Sequence, residues 1–234
     1  MKVIITEEQL RLIIENEEYI NSIKELINTF DPNNIDMAFQ IMKGMKIKQS
    51  VILDEYKELF EIFKLKPSKL NLIKMGSRTN TYLYRESVPD ILFKMPNLEI
   101  IRFGRIKNLD NLHSFKGVLL QIINTSDLDS GTIPNLVEVG GGLKLNHTND
   151  YRIKSLPMLS EVGKFLDLSG VNIKSLPMLK YVGTNLDLSY SSIESLPNGL
   201  YVGGDLFLYS TPLSKATTEE ELRSKINVKG DIYL

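Results

Sequence analysis

Two stretches of this chain are near copies of one another, and they stand in step. LDLSGVNIKSLPMLKYVG begins at Leu166, and LDLSYSSIESLPNGLYVG begins at Leu186. A fixed period restricts the fold more than any other feature, because it means that one small unit is built repeatedly. Leu-x-Leu pairs fall at Leu143/Leu145, Leu166/Leu168, Leu186/Leu188 and Leu206/Leu208, with weaker copies at Leu120/Ile122 and Ile232/Leu234. Ile101/Phe103 reads as a degenerate first copy. The steps from Leu166 to Leu186 and from Leu186 to Leu206 are equal; the two before them are slightly longer, and the last, to Ile232, is the longest. A Val-Gly pair precedes each strong copy, at Val139-Gly140, Val162-Gly163, Val182-Gly183 and Val202-Gly203. A proline turn precedes each of those, at Pro134, Pro157, Pro177 and Pro197.

One unit can be derived from its residues. Alternation in Leu-Asp-Leu puts two leucines on one face of a strand and the aspartate on the other. So short a strand cannot bury its leucines alone. Stacked beside copies of itself it can, and the stack is a parallel sheet with strands about 4.8 Å apart. Proline suits the return wall, where no ladder N–H is needed. The glycine permits tight entry into the next strand. The valine column, with Ile173, Leu176, Ile193 and Leu196, is expected to fill the interior.

These columns resemble the leucine-rich repeat family, in which one short unit recurs around a core that reads L-x-L-x-x-N-x-L. The units are most similar to the short bacterial and phage type. The resemblance covers roughly residues 96–234 and implies an α/β solenoid with a parallel sheet on its concave face. One column departs from the family. Where a buried asparagine is usual, this chain has Thr125, Thr148, Val171, Ser191 and Thr211. Hydroxyls can do part of the asparagine's bonding, and Val171 can do none.

The sequence divides into 1–65, an N-terminal helical domain or cap; 66–107, a transition segment; and 108–234, the solenoid with its C-terminal cap. In the first region Thr6 and Gln9 have capping-box spacing. Leu10, Ile13 and Ile14, then Ile20, Ile23 and Ile27, follow a helical period, with a break suggested at Asn16. A second helix is expected with Asn34 as cap and Gly44 as stop, and a third over residues 50–65. This pair resembles a segment that precedes such repeats in bacterial proteins, and reads as a cap or as a separate docking module. Residues 71–87 alternate enough for a hairpin turning near Ser77–Asn80. At the far end TTEEELRSKI reads as a short helix capped by Thr217 or Thr218, with Arg223 and Lys225 near its end. VKGDIYL then forms a terminal strand.

Composition narrows the chemistry. The chain has no cysteine and only two histidines, His113 and His147. Disulfides, thiolate metal sites and cysteine nucleophiles are thereby excluded. So is the cysteine-dependent ubiquitin ligase of some bacterial leucine-rich repeat effectors. There is no phosphate-binding Gly-x-x-x-x-Gly-Lys motif and no nucleophile elbow. Gly140, Gly141 and Gly142 fall in the strand-entry slot. We therefore expect no enzyme activity and no cofactor. Neither a secretory signal nor a membrane-spanning stretch is read, which gives a cytoplasmic expectation, in a bacterium or an infected host, or a virion.

Net charge is −1 overall but unevenly placed: −5 over residues 1–63, +7 over 64–107 and −3 over 108–234. The middle segment carries Lys64, Lys66, Lys69, Lys74, Arg78, Arg85, Arg102, Arg105 and Lys107, with Tyr82 and Tyr84 between them. It reads as a nucleic-acid surface or as a solvated face paired with the acidic helices.

In the resembled family the concave face usually binds the partner. Its middle column here should read Gln121, Lys144, Asp167, Asp187, Phe207 and Tyr233. Phe165, Asn185 and Asp205 flank it on one side; Asn146, Ser169, Ser189 and Tyr209 on the other, with Tyr190 one residue on. Lys144 can pair with Asp167. Asp167 and Asp187 are like charges one rung apart, an arrangement that a partner or a divalent ion would relieve. Phe207, Tyr209 and Tyr233 are aromatic where water is expected, so they mark a partner site or lie beneath the C-terminal helix. The leading expectation is a protein-binding module using Lys144, Asp167, Asp187, Asn185, Asp205, Phe207, Tyr209 and Tyr233. The alternatives are a structural or assembly component such as a virion protein, since IITEEQLRLIIE resembles phage-encoded N-termini, and a nucleic-acid binder using residues 64–107.

Overall fold

The computed structural model describes residues 7–76, 81–84, 90–104, 109–121, 131–145 and 153–234. The chain divides into two compact units, Met1–Ser77 and Arg78–Leu234.

The first unit is helical. Helix α1 (Glu7–Asn28) runs unbroken through Asn16, and the Thr6 capping box lies outside the described residues. Helix α2 (Pro32–Gly44) is capped by Asp31 rather than Asn34. Asp31 Oδ1 accepts from the amides of Asn33 and Asn34 at 2.8 and 3.0 Å. The reason is Pro32, which fits the first helical position and holds the residue before it extended. The expected third helix is broken into α3 (Gln49–Leu53), a tight turn at Asp54–Tyr56 and α4 (Lys57–Ile62). Tyr56, at the break, is buried, and its hydroxyl donates to Asn28 Oδ1 at 2.6 Å. Burial, then the charge of Glu55, pushes its phenol far up. Helix α5 (Lys69–Gly76) follows, and Ile23, Ile27, Ile35, Met42, Leu72 and Met75 meet in the core.

The expected hairpin is not formed. Residues 71–76 belong to α5, where Leu72 and Met75 are buried three apart, a helical spacing. Its turn, Ser77–Asn80, lies outside the described residues. Strand β1 (Thr81–Tyr84) runs parallel, not antiparallel, to β2 (Glu99–Gly104), and the short helix α6 (Asp90–Phe93) lies in the crossover. A tight turn cannot join parallel neighbours.

From residue 114 the second unit is a parallel β-solenoid with two sheets. Strands come in pairs along the chain: β3 (Ser114–Phe115) and β4 (Leu119–Gln121), β5 (Glu138–Val139) and β6 (Gly142–Lys144), β7 (Glu161–Val162) and β8 (Leu166–Asp167). Then come β9 (Tyr181–Val182) and β10 (Leu186–Asp187), β11 (Tyr201–Val202) and β12 (Leu206–Phe207). Two helices, α7 (Pro212–Ala216) and α8 (Glu219–Lys225), precede the last pair, β13 (Asn227–Val228) and β14 (Ile232–Tyr233). The even-numbered strands, with β1 at one end, make a sheet of eight; the odd-numbered strands from β3 make a sheet of six.

The Val-Gly column is therefore more than a strand entry. Its valine ends a strand of the second sheet, and the glycine after it bends the chain into the first. A Cβ on Gly163, Gly183 or Gly203 would collide with the carbonyl oxygen of the glycine one coil earlier. The leucine pairs from Leu143 to Leu208 and the four valines are fully buried, as are Ile173, Ile193 and Leu176. Leu196 is half-buried instead. In the column that replaces the family's asparagine, Thr125 and Thr148 lie outside the described residues. Thr211 and Ser191 do bond the backbone: Thr211 Oγ1 donates to Leu208 O at 2.9 Å, and Ser191 Oγ accepts from the Ile193 amide at 3.3 Å.

The last coil is the longest because two helices are inserted into it. Thr211 caps α7 and Thr218 caps α8, each through a reciprocal capping box, the second with Glu221. Arg223 of α8 donates to the carbonyls of Val228 and Gly230, both at 3.0 Å, and to Glu219 at 2.7 Å. The guanidinium thus covers the Val228 carbonyl of β13, the outermost strand of the second sheet, and the Gly230 carbonyl in the link that follows it.

Candidate functional site

The outward column of the first sheet follows directly from strand register. Gln121 pairs with Lys144, Lys144 with Asp167, Asp167 with Asp187, Asp187 with Phe207, and Phe207 with Tyr233. Buried leucines on both sides of Lys144, Asp167, Asp187 and Phe207 fix the alternation, so these side chains point away from the interior, and Tyr233 follows the buried Ile232.

Lys144 Nζ lies 3.4 Å from Asp167. The Asp167 carboxylate also accepts from the Ser169 amide at 3.1 Å and its hydroxyl at 2.7 Å. Asp187 Oδ1 accepts from the Ser189 amide at 2.9 Å. These local donors offset part of the repulsion between two carboxylates held one strand apart. The flanking column forms its own ladder. Asn185 Oδ1 accepts from the Asp205 amide, and Asp205 Oδ1 from the Asp231 amide, each at 3.0 Å. Asn146, and with it His147, lies outside the described residues.

At the C-terminal end the column becomes aromatic. The Phe207 and Tyr233 rings stack 4.9 Å apart and 3° from parallel. Tyr209 leans across both, 6.3 Å from Phe207 and 5.9 Å from Tyr233, tilted by 39° and 40°. The C-terminal helices do not bury them: Phe207 and Tyr233 remain partly exposed and Tyr209 is 40% exposed. The hydrogen bonds of Arg223 tie α8 to β13, on the other sheet. The negative charge of Asp231, followed by desolvation and the charge of Asp205, pushes the Tyr233 phenol above its ordinary range.

Two features of this surface escape a strand-by-strand reading. Tyr190 is 70% exposed, and its backbone is left-handed, with φ of +59°. Its amide donates to the carbonyl of Tyr209 at 2.7 Å, which sets it at the margin of the aromatic group. The signal for it in the sequence is Gly170, which stands in the same column one coil earlier. The second feature is an aromatic pair on the other sheet. Tyr181 and Tyr201 stack 5.3 Å apart, and Lys229 lies 5.9 Å from the Tyr201 ring centre.

The basic middle segment is split between the two units. Lys69 pairs with Asp36 within the first. Arg78, Arg85, Arg105 and Lys107 lie outside the described residues, as do the side chains of Tyr82, Tyr84 and Arg102. His113 is exposed, its Nδ1 3.0 Å from Asn111 O. Among the described residues no helix is long and apolar enough to cross a membrane.

No protein-family model, no curated protein and no solved structure matches this chain. The fold itself defines the class: a parallel two-sheet β-solenoid following a helical unit. Its distinctive surface is a column of charged residues that ends in stacked aromatic rings.

Proposed function

We propose that this chain is a non-enzymatic recognition protein of the short leucine-rich repeat type. It binds a protein partner through the outer face of the eight-stranded sheet, at Phe207, Tyr209 and Tyr233, with Tyr190 at the edge. The observation that carries this reading is the exposure of these rings together with the backbone of Tyr190. A tyrosine held in left-handed backbone is less stable by about 1 kcal/mol than glycine in that turn of the coil, so the exposed Tyr190 ring is kept at a cost to stability. Clustered exposed aromatics are also the residues that dominate protein interfaces. The polar column before them, with Lys144, Asp167, Asp187, Asn185 and Asp205, supplies the rim.

The test compares wild type with Phe207→Ser/Tyr209→Ser/Tyr233→Ser as baits in source-cell lysate, with both folds checked by circular dichroism. A second variant, Tyr181→Ser/Tyr201→Ser, removes the aromatic pair of the other sheet. A protein retained by wild type and by the second variant, but lost from the first, is the expected result. Equal retention by all three well-folded baits removes this reading.

A further inference from the structure

The chemistry surrounding the rings narrows the partner. Asp187 stands beside Phe207 in the middle column, and Asp205 and Asp231 precede Phe207 and Tyr233 in the flanking column. Among the described residues, no lysine or arginine forms an ion pair with any of these three. Lys144 is engaged with Asp167, Arg223 with Glu219, and Lys229 lies over Tyr201 of the other sheet. Asp187 and Asp205 each use Oδ1 to accept a backbone amide, and a carboxylate has a second oxygen to offer.

The rings point the same way. Tyr233 stacks on Phe207 and stays partly exposed. Tyr209 is tilted out of the stack and exposed. The face of an aromatic ring is negative, so it attracts a cation as a carboxylate does, and both repel an anion. The upward shift of the Tyr233 phenol reports the same negative field.

We propose that the partner segment seated on this face is cationic: an extended, arginine- or lysine-bearing stretch of protein. Its side chains stack on Tyr209 and Tyr233 and pair with Asp187, Asp205 and Asp231. This rests on the recognition reading above and adds the sign of the partner. Nucleic acid, a polyanion, is disfavoured here for the same reason.

The test titrates the full chain into fluorescein-labelled decapeptides of alternating arginine and glycine, with glutamate–glycine and serine–glycine counterparts, read by polarisation. The charge variant is Asp187→Asn/Asp205→Asn/Asp231→Asn. Asparagine already accepts the ladder bond at Asn185, so this variant removes charge while keeping an acceptor at each place. The arginine peptide is expected to bind and the other two to fail. The charge variant and Tyr209→Ser/Tyr233→Ser should each weaken binding by about tenfold, and so should raising the salt to about 0.15 M from well below it. The proposal is overturned if the arginine peptide does not bind, if the acidic peptide binds equally, or if the charge variant binds undiminished. The lysate comparison separates the two readings. A partner lost from the aromatic variant but kept by the charge variant leaves recognition standing and removes the cationic segment. A partner kept by the aromatic variant removes both.

Discussion

Gly170 and Tyr190 occupy the same place in successive coils, and both hold left-handed backbone, with φ of +72° and +59°. Ser210 takes the same position in the next coil, at +54°. The turn after the leucine pair thus demands a conformation that glycine adopts freely and tyrosine does not. Tyr190→Gly should raise stability by about 1 kcal/mol and weaken partner binding. Gly170→Ala should lower stability by a similar amount through local backbone strain alone, since beyond its chain neighbours nothing lies within 4 Å of the added Cβ. Urea unfolding midpoints check both.

The bend between the two sheets is governed by space. A Cβ on Gly183 would run into the carbonyl of Gly163. Gly183→Ala should therefore destabilise by about 3 kcal/mol, because neighbouring coils must separate to admit it. Gly44→Ala, where the added group meets nothing, should be neutral or slightly stabilising. Thermal unfolding of the two variants distinguishes crowding from a general dislike of alanine.

Arg223 holds the outer edge of the second sheet through its bonds to Val228 and Gly230. Arg223→Met should lower stability by about 1 kcal/mol, discounted for the partial exposure of the side chain. It should also speed exchange of the Asn227 and Lys229 amides, which tie β13 to the strand beside it, and raise self-association, because a freed strand edge recruits other chains. Hydrogen exchange and sedimentation read the two effects.

Helix α2 starts at Asp31 because Pro32 follows it. Asp31→Ala should cost about 1 kcal/mol, while Asn34→Ala, which leaves that cap intact, should cost little. Denaturant midpoints again decide.

The Tyr233 phenol, raised by the charges of Asp231 and Asp205, ties stability to alkaline pH. Its folded value lies above its unfolded one, so the contribution is complete below about pH 10. Above that the unfolded chain binds fewer protons than the folded one, and the contribution is lost as pH rises to the folded value. Asp231→Asn should bring the phenol titration back down, and NMR of ring-labelled tyrosine is the measurement that checks it.

The repeat is legible in the sequence because its signal is chemical and periodic. Leu143 to Leu208 mark one wall, the valines another, and the prolines the return. The second sheet is not legible, because each of its strands from β5 on buries a single valine and so shows no alternation, whereas the equally short β8 and β10 of the first sheet are marked by a leucine on each side of the outward residue. Tyr181–Val182 and Tyr201–Val202 show the pattern only when stacked. The hairpin expected over residues 71–87 fails because Leu72, Lys74 and Met75 fit an alternating pattern loosely and a helical one better. Asn34 loses to Asp31 because proline sets the helix start more strongly than a favourable cap residue two positions on. The aromatic face is legible from column position alone. Its geometry is not, since the Phe207–Tyr233 stack depends on in-register pairing of two strands with α7 and α8 inserted between them.

Leu166, Leu186 and Leu206 are evenly spaced along the chain, and their strands lie in register. Removing residues 186–205 would leave every column in phase and set Asp167 directly beside Phe207. The same operation in reverse would add a coil carrying any outward residues. The length of such a molecule therefore changes in whole modules, while its surface is revised one letter at a time. A chain built this way can acquire a new partner without having to rediscover how to fold.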